Sequence, residues 1–322
     1  MSEPRTYHNP VQRGFFPDPS VIRVGDDYYM VNSSFQYFPA IPISHSRDMV
    51  HWHIIGHAIT NPEWLDISDI RDSHGIWAPD IEYVDGKYYI YVTLRLNADG
   101  KRDNNVMRRQ LVMVSDKPEG PYSKPVCLEV DDIDPSLFVD DDGTPWMSWG
   151  NGTCFLVKLK PNMTELDGNI EILKMPKFVE GPWIHKRENL YYLTYASMGK
   201  GRETISYATA PSMDGPWTYR GVLTGMAENS FTIHPGIIEF KGQNYLFYHN
   251  AILTIDGKSG ATGRRSVCVD YLYYLPDGRM AYVEQTKEGI TVKPKTAAEV
   301  AEIVNPYTGE EEVVVEKEVI AE

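Results

Sequence analysis

The chain has 322 residues, 42% hydrophobic and 24% charged, enough for one large domain or two small ones with a sizeable core. A net charge of −14 at pH 7 argues against nucleic acid or an anionic membrane surface as a partner. No apolar run approaches spanning length, the start MSEPRTYHNP lacks the apolar region of a secretory signal, and the three scattered cysteines (Cys127, Cys154, Cys268) fit neither a disulfide framework nor a zinc site, so reduced thiols in a cytoplasmic protein are expected.

The first predicted element is a hairpin opened by FFPDPS (15–20), in the stretch PDPSVIRVGDDYYMVNSS. Asp18 lies between Pro17 and Pro19, which fix φ on both sides of it and remove two backbone donors. After the segment SSFQYFPAIPISHSRDMVHW comes a second hairpin of the same build, APDIEYVDGKYYIYVT, with Asp80 near its start. The third is IDPSLFVDDDGTPWMSWG with Asp134, the fourth EGPWIHKRENLYYLTYA with Glu180, and the fifth HPGIIEFKGQNYLFYHN with His234. In each, a short proline motif leads into an apolar run, a polar turn and a second run rich in aromatics, the signature of a β-hairpin. The intervals between the leading polar residues are 62, 54, 46 and 54 residues, with further strand-like segments such as QLVMVSDKPEGPY and TISYATAPSMDGPW between them.

Units of about four strands repeating every 40 to 50 residues or so predict an all-β chain folded as a five-bladed β-propeller, over residues 1–290. Residues 291–322 lie beyond the fifth repeat. There KTAAEVAEIV (295–304) reads as a helical turn or two, and the alternating GEEEVVVEKEVIAE as an outer strand or a loose tail. In a propeller the first strand of every blade lines the central channel. Asp18, Asp80, Asp134, Glu180 and His234 are then gathered at one end of the axis although they are remote in sequence.

Paired carboxylates at a channel mouth suggest glycoside hydrolysis, in which one carboxylic acid protonates the leaving oxygen and one carboxylate activates water or attacks the sugar. An Asp next to Pro is commonly a turn residue, and a shared turn alone would explain much of the repeat. The change to Glu in the fourth copy and His in the fifth is what a purely structural repeat has less reason to show. DDDG (140–143) is read as a solvated turn rather than a calcium loop, and strand aromatics such as Tyr88, Tyr89, Tyr191 and Tyr192 as packing between blades.

The motifs FFPDPS, GIWAPD, DIDPSLF, VEGPWI, HPGI and GRRSVCVDYLYY occur together and in order, and the chain from about Tyr7 to Val283 resembles glycoside hydrolase family 43. The resemblance implies a five-bladed propeller that hydrolyses xylosides or arabinosides with inversion. It implies Asp18 as general base, Glu180 as general acid and Asp134 as the carboxylate that tunes and orients the acid. It matches Arg265 to an arginine that contacts sugar and carboxylates, with Arg264 as the alternative, and gives Asp80 a supporting rather than catalytic place. It makes His234 the protein ligand of a divalent cation, usually calcium, with magnesium or manganese as alternatives. Phe35 and Trp77 are expected to wall the pocket, and Trp149 to bound the next sugar position.

The segment after the first hairpin looks most like β-xylosidases, so the expected substrate is a short xylo- or arabino-oligosaccharide inside the cell. Exo release of xylose from β-1,4-xylo-oligosaccharides is the leading expectation; α-L-arabinofuranosidase or dual activity is the near alternative. A chain of this length is too short for the C-terminal β-sandwich of many such xylosidases, which leaves exo against endo action open. A non-catalytic carbohydrate- or protein-binding propeller is the alternative of another class.

Overall fold

A computed structural model describes residues 8–64, 75–97, 106–253, 264–307, 309 and 311–320. Each of the five sequence repeats forms the inner hairpin of its own antiparallel sheet, so the predicted five-bladed propeller is what the chain adopts. The first blade holds β1 (Ser20–Val24), β2 (Asp27–Val31), β3 (Ala40–Ser46) and β4 (His53–Ile59). The second holds β5 (Gly75–Val84), β6 (Lys87–Asn97), β7 (Val106–Ser115) and β8 (Val126–Leu128). The third holds β9 (Ser136–Val139), β10 (Pro145–Trp149), β11 (Cys154–Lys158) and β12 (Ile170–Leu173). The fourth holds β13 (Phe178–Arg187), β14 (Leu190–Met198), β15 (Glu203–Ala210) and β16 (Thr218–Thr224). Among the described residues the fifth has three strands, β17 (Gly236–Phe240), β18 (Gln243–Asn250) and β19 (Ser266–Leu272).

Turn chemistry sets the register of the inner hairpins. Asp85 and Gly86 both have positive φ (49° and 81°), as do Lys241 and Gly242 (52° and 75°), the backbone that a two-residue hairpin loop needs to follow strand twist. Val84 then pairs with Lys87, and Phe240 with Gln243. The strand aromatics and β-branched residues pack face to face, and the buried core divides into five clusters, one at each seam of the ring. Tyr88 belongs to the seam of blades one and two, Tyr191 to that of blades three and four, and Tyr192 to that of blades four and five, in keeping with their reading as packing residues.

The ring is closed by the chain start. Gln12 forms an antiparallel bridge with Val267, Val267 N–H donates to Gln12 O at 2.9 Å, and Asn9 exchanges amide bonds with Val269 at 3.0 Å. Residues 9–12 thereby cover the edge of β19 where a fourth strand would stand.

The described residues of the C-terminal segment pack against the propeller. A short helix α1 (Ala297–Ala301) starts at Thr296, whose hydroxyl and Glu299 form a reciprocal capping box. The chain then adds β20 (Val313–Val314) to the outer edge of β16 and β21 (Lys317–Ile320) to the outer edge of β12. The alternating Val/Glu pattern is thus two edge strands, bound through backbone pairing and the Lys174–Glu318 and Lys317–Glu171 ion pairs. Among the described residues, no helix is long and apolar enough to cross a membrane.

Candidate active site

The inner strands β1, β9, β13 and β17 bring Asp18, Asp134, Glu180 and His234 together, whereas Asp80, expected with them, lies inside β5 and bonds sideways to Ser20 and Leu137. Asp18 lies two residues before β1 with φ of 52°, and Asp134 two residues before β9 with φ of 60°. Asp tolerates this left-handed conformation better than most side chains. It turns each carboxylate out of the strand direction just before the strand begins. The flanking prolines of Asp18 keep the turn stiff.

Asp18 is almost fully buried, and its carboxylate is tied on both oxygens. Arg265 Nη1 donates to Oδ1 at 3.0 Å, Ser33 Oγ donates to Oδ2 at 2.6 Å, and His249 Nδ1 lies 3.5 Å from Oδ1. Burial would raise its pKa, but the Arg265 charge above all, with the Ser33 hydroxyl, outweighs it and holds the carboxyl below the ordinary aspartate range. His249 is fully buried and, through burial and the Arg265 charge, pushed down to about 3, so it is neutral at physiological pH. Its Nδ1 accepts the Asp18 backbone N–H at 3.1 Å, and its Nε2 faces Thr232 O at 3.0 Å. The ring therefore carries its proton on Nε2. The Asp18 anion then rests chiefly on Arg265 and Ser33.

Glu180 lies in β13 at a bulge, opposite Ala196. It is half-buried and accepts one bond from Asn151 Nδ2 at 3.0 Å. Burial and the Asp18 charge push its pKa up to about 7, against the pull of Arg265 and Asn151. Asp134 is buried, donates its backbone N–H to Thr93 Oγ1 at 3.1 Å and accepts a long bond from Ala78 N–H at 3.4 Å. Burial, then crowding by Glu180 and Asp18, raise it well above the usual carboxylate range. Asp18, Asp134, Glu180 and Arg265 thus form one electrostatic unit, in which one carboxyl is held ionised and two resist ionisation.

The profile of Glycosyl hydrolases family 43 matches residues 7–280. The chain belongs to glycosyl hydrolase family 43. It is 35% identical over 233 residues to a xylan 1,3-β-xylosidase of Vibrio sp, covering 66% of this chain and 42% of that protein. It is 31% identical over 279 residues to a non-reducing-end α-L-arabinofuranosidase of Bacteroides ovatus, covering 81% and 51%. The chain therefore spans about half or less of the length of these curated relatives. Among solved structures, a family 43 protein of Bacillus licheniformis superposes with a TM-score of 0.75 at 39% identity, covering 90% of this chain and 60% of the other. A β-xylosidase/α-arabinofuranosidase from a compost microbial metagenome, solved with xylotriose in a calcium-free form, gives 0.70 at 25% identity, covering 86% and 97%.

Other residues of this family 43 chain sort differently from their sequence reading. Arg265, not Arg264, is the arginine on Asp18, and its guanidinium also lies 5.6 Å from the centre of the Phe35 ring. Phe35 and Trp77 are half-buried with ring centres 6.2 Å apart, held together because Phe35 and Ile76 exchange backbone bonds at 3.0 and 3.1 Å. They form one wall with Phe15, whose ring lies 5.5 Å from Phe35.

Trp149 does not bound a sugar position. It is 2% exposed, stacks on Phe155 at 5.2 Å and donates Nε1–H to Asp131 O at 3.0 Å within the seam of blades two and three. It ends a strand whose five residues are all buried, and its indole turns into the seam. Asp140 in the DDDG turn is also more than solvated, since it accepts from Tyr191 Oη at 2.7 Å and Lys186 Nζ at 2.8 Å on the next blade.

His234 is buried at the axis, with Nδ1 4.0 Å from Asp134 Oδ2. It packs so tightly on Gly181 that a Cβ there would lie 2.8 Å from two ring atoms, which explains glycine after Glu180. Among the described residues no group of three or more His, Cys, Asp or Glu side chains is placed to hold a metal ion. The imidazole offers a single nitrogen donor, whereas calcium and magnesium take oxygen ligands, so water would have to supply most of the coordination of any such cation.

Sequence reasoning missed Ser33, Asn151, Thr93, Thr232, Glu203 and His249. Three carry a local signal: Ser33 ends the first hairpin in NSSF, Asn151 follows the third in SWGNG, and His249 ends the fifth in YHN. Ends of second strands return to the channel mouth, so these positions were findable from the repeat itself.

Proposed function

We propose that this chain hydrolyses glycosides with inversion, releasing xylose from the non-reducing end of short β-1,4-xylo-oligosaccharides. The observation that carries the reading is the meeting of two carboxyls from different blades in opposite settings, Asp18 tied to Arg265 and Ser33 and held low, Glu180 bonded by Asn151 and raised. A base must be ionised and an acid protonated at the same pH, and environments that push two carboxyls apart assign those roles. Asp18 takes a proton from water as the water oxygen attacks the anomeric carbon opposite the leaving group. Glu180 gives its proton to the glycosidic oxygen as the C–O bond breaks. Exchange of one proton with solvent at each carboxyl resets the pair. Asp134 orients Glu180 and crowds it with like charge, while Arg265 keeps Asp18 ionised and aimed. Phe35 and Trp77 offer apolar ring faces to the sugar.

α-L-Arabinofuranoside hydrolysis, alone or with xyloside hydrolysis, is the second reading, supported by the Bacteroides relative and by the dual name of the metagenomic protein. A purely binding propeller has no use for a base and an acid tuned in opposite directions. His234 is the proposed protein ligand of a hydrated divalent cation, calcium first and magnesium or manganese as alternatives, which would supply positive potential beneath the pocket.

The test is a parallel assay on p-nitrophenyl β-D-xyloside and α-L-arabinofuranoside, with and without EDTA. Proton NMR of the first product would accompany it. Turnover of either substrate with the inverted anomer appearing first is expected. Retained configuration would remove the role of Asp18 as base, no turnover would remove the enzyme reading, and activity indifferent to EDTA would remove the cation.

A further inference from the structure

The seam of blades four and five holds a buried carboxyl that the roles above leave unused. Glu203 opens β15 and is 2% exposed. Both its backbone and its side chain grip the same passing segment: its N–H donates to Phe231 O at 3.0 Å, and its Oε2 accepts from Ile233 N–H at 3.1 Å. The residue held between those two bonds is Thr232, whose O and Oγ1 lie 3.0 and 3.1 Å from His249 Nε2. On its other side, the His249 ring accepts the Asp18 backbone N–H. One residue beyond Ile233, His234 faces Asp134 and rests on Gly181, next to Glu180. A single strap, residues 228–234, thus reaches the surroundings of all three carboxylates.

We propose that Glu203 is a positioning residue of the reaction, clamping this strap so that Thr232 holds the His249 ring in the place and tautomer that aim Asp18. The proposal rests on the reading of Asp18 as base. Two bonds to one strap from one residue fix both its distance from blade four and its rotation. A side chain without an acceptor would release the Ile233 N–H and let the Thr232 carbonyl turn away from His249. Burial and the Glu180 charge push the Glu203 carboxyl up to about 9, so it acts as a neutral acceptor, and glutamine offers the same oxygen at the same reach.

The experiment compares Glu203→Leu, Glu203→Gln and Thr232→Val with wild type on the better p-nitrophenyl substrate, with folding checked by circular dichroism. Glu203→Leu is expected to lower kcat by at least about tenfold with KM within about threefold, because sub-ångström misplacement of a base slows chemistry more than binding. Glu203→Gln should bring kcat back to within about threefold of wild type. Thr232→Val keeps the backbone acceptor for His249 and should lower kcat several-fold in the same direction. Effects of Glu203→Leu and Thr232→Val in one chain should fall short of their product, since both act through one ring. Wild-type kcat in Glu203→Leu, a loss confined to KM, or a Glu203→Gln as slow as Glu203→Leu would overturn the clamp. If Glu203→Leu does not fold, Glu203→Ala takes its place, and wild-type kcat there overturns the clamp. A wild-type protein that turns over neither substrate would overturn the functional reading and the clamp together; an active wild type with an unaffected Glu203→Leu overturns the clamp alone.

Discussion

Asp18 and Asp80 each adjoin a proline in the first and second repeats, but they hold different places: counted back from the closing pairs Val24–Asp27 and Val84–Lys87, Asp80 matches Ser20 and Ala78 matches Asp18. Asp18 lies outside its strand in a left-handed conformation and meets Arg265, Ser33 and the channel. Asp80 lies inside β5 and turns sideways: Ser20 Oγ of β1 donates to one oxygen at 2.7 Å and Leu137 N–H of β9 to the other at 2.7 Å. It is a bracket across three inner strands. Burial raises its pKa to about 7, against the pull of its hydrogen-bond donors, whereas at Asp18 the Arg265 charge helps to outweigh burial. Similar proline motifs therefore do not confer equal chemistry; two residues of difference in distance from the hairpin turn put one carboxylate before its strand and the other inside it.

The largest effect that would sharpen this contrast is on turnover. Asp18→Asn should lower kcat by at least about a thousandfold with the unfolding midpoint nearly unchanged, since it removes the base but leaves a group that Arg265 and Ser33 can still flank. Asp18→Asn activity close to wild type would break the comparison. Asp80→Ala should do the reverse, lowering stability by about 2–4 kcal/mol in chemical denaturation by orphaning the Ser20 hydroxyl and the Leu137 N–H in a dry site. If it left stability intact, the bracket would have no structural weight.

A smaller change comes from Arg265→Ala. The Arg265 charge lowers Asp18 and also opposes the rise at Glu180, so removing it raises both. Asp18 would protonate at higher pH and Glu180 would stay protonated to higher pH, so both limbs of the pH–kcat/KM profile should move toward alkali. A shift of the acid limb alone would show that Arg265 does not sense the acid. Smallest is Asn151→Ala, which deletes one bond to Glu180 and should move only the alkaline limb, upward from near 7. Movement of the acid limb in that variant would mean that Asn151 also serves Asp18.

Five repeats, their hairpins and the gathering of Asp18, Asp134, Glu180 and His234 were legible in the sequence because strand alternation and turn residues are local signals with a fixed period; Asp80, expected with them, instead bonds sideways from inside β5. Arg265 required the family resemblance, since a pair of arginines just before a strand has no periodic mark to say which one faces the site. Trp149 misled because a strand-end indole reads the same whether it faces a seam or a channel, and only the stagger of neighbouring blades distinguishes the two. The tail was ambiguous for a related reason: GEEEVVVEKEVIAE alternates like a strand, but an edge strand needs a partner, and the partners β16 and β12 lie far back in the chain.

By itself, then, the sequence determined the blade count, the inner hairpins and the residue types brought to the axis, because each depends on patterns a few residues long. The tertiary structure alone decided the protonation split, since it depends on distances between groups from different blades. Asp18 is low because Arg265, 247 residues away, donates to it, and Glu180 is high because burial and the Asp18 anion crowd it. Coulomb energy follows separation in space, and in a propeller that separation is set by the closure of the ring.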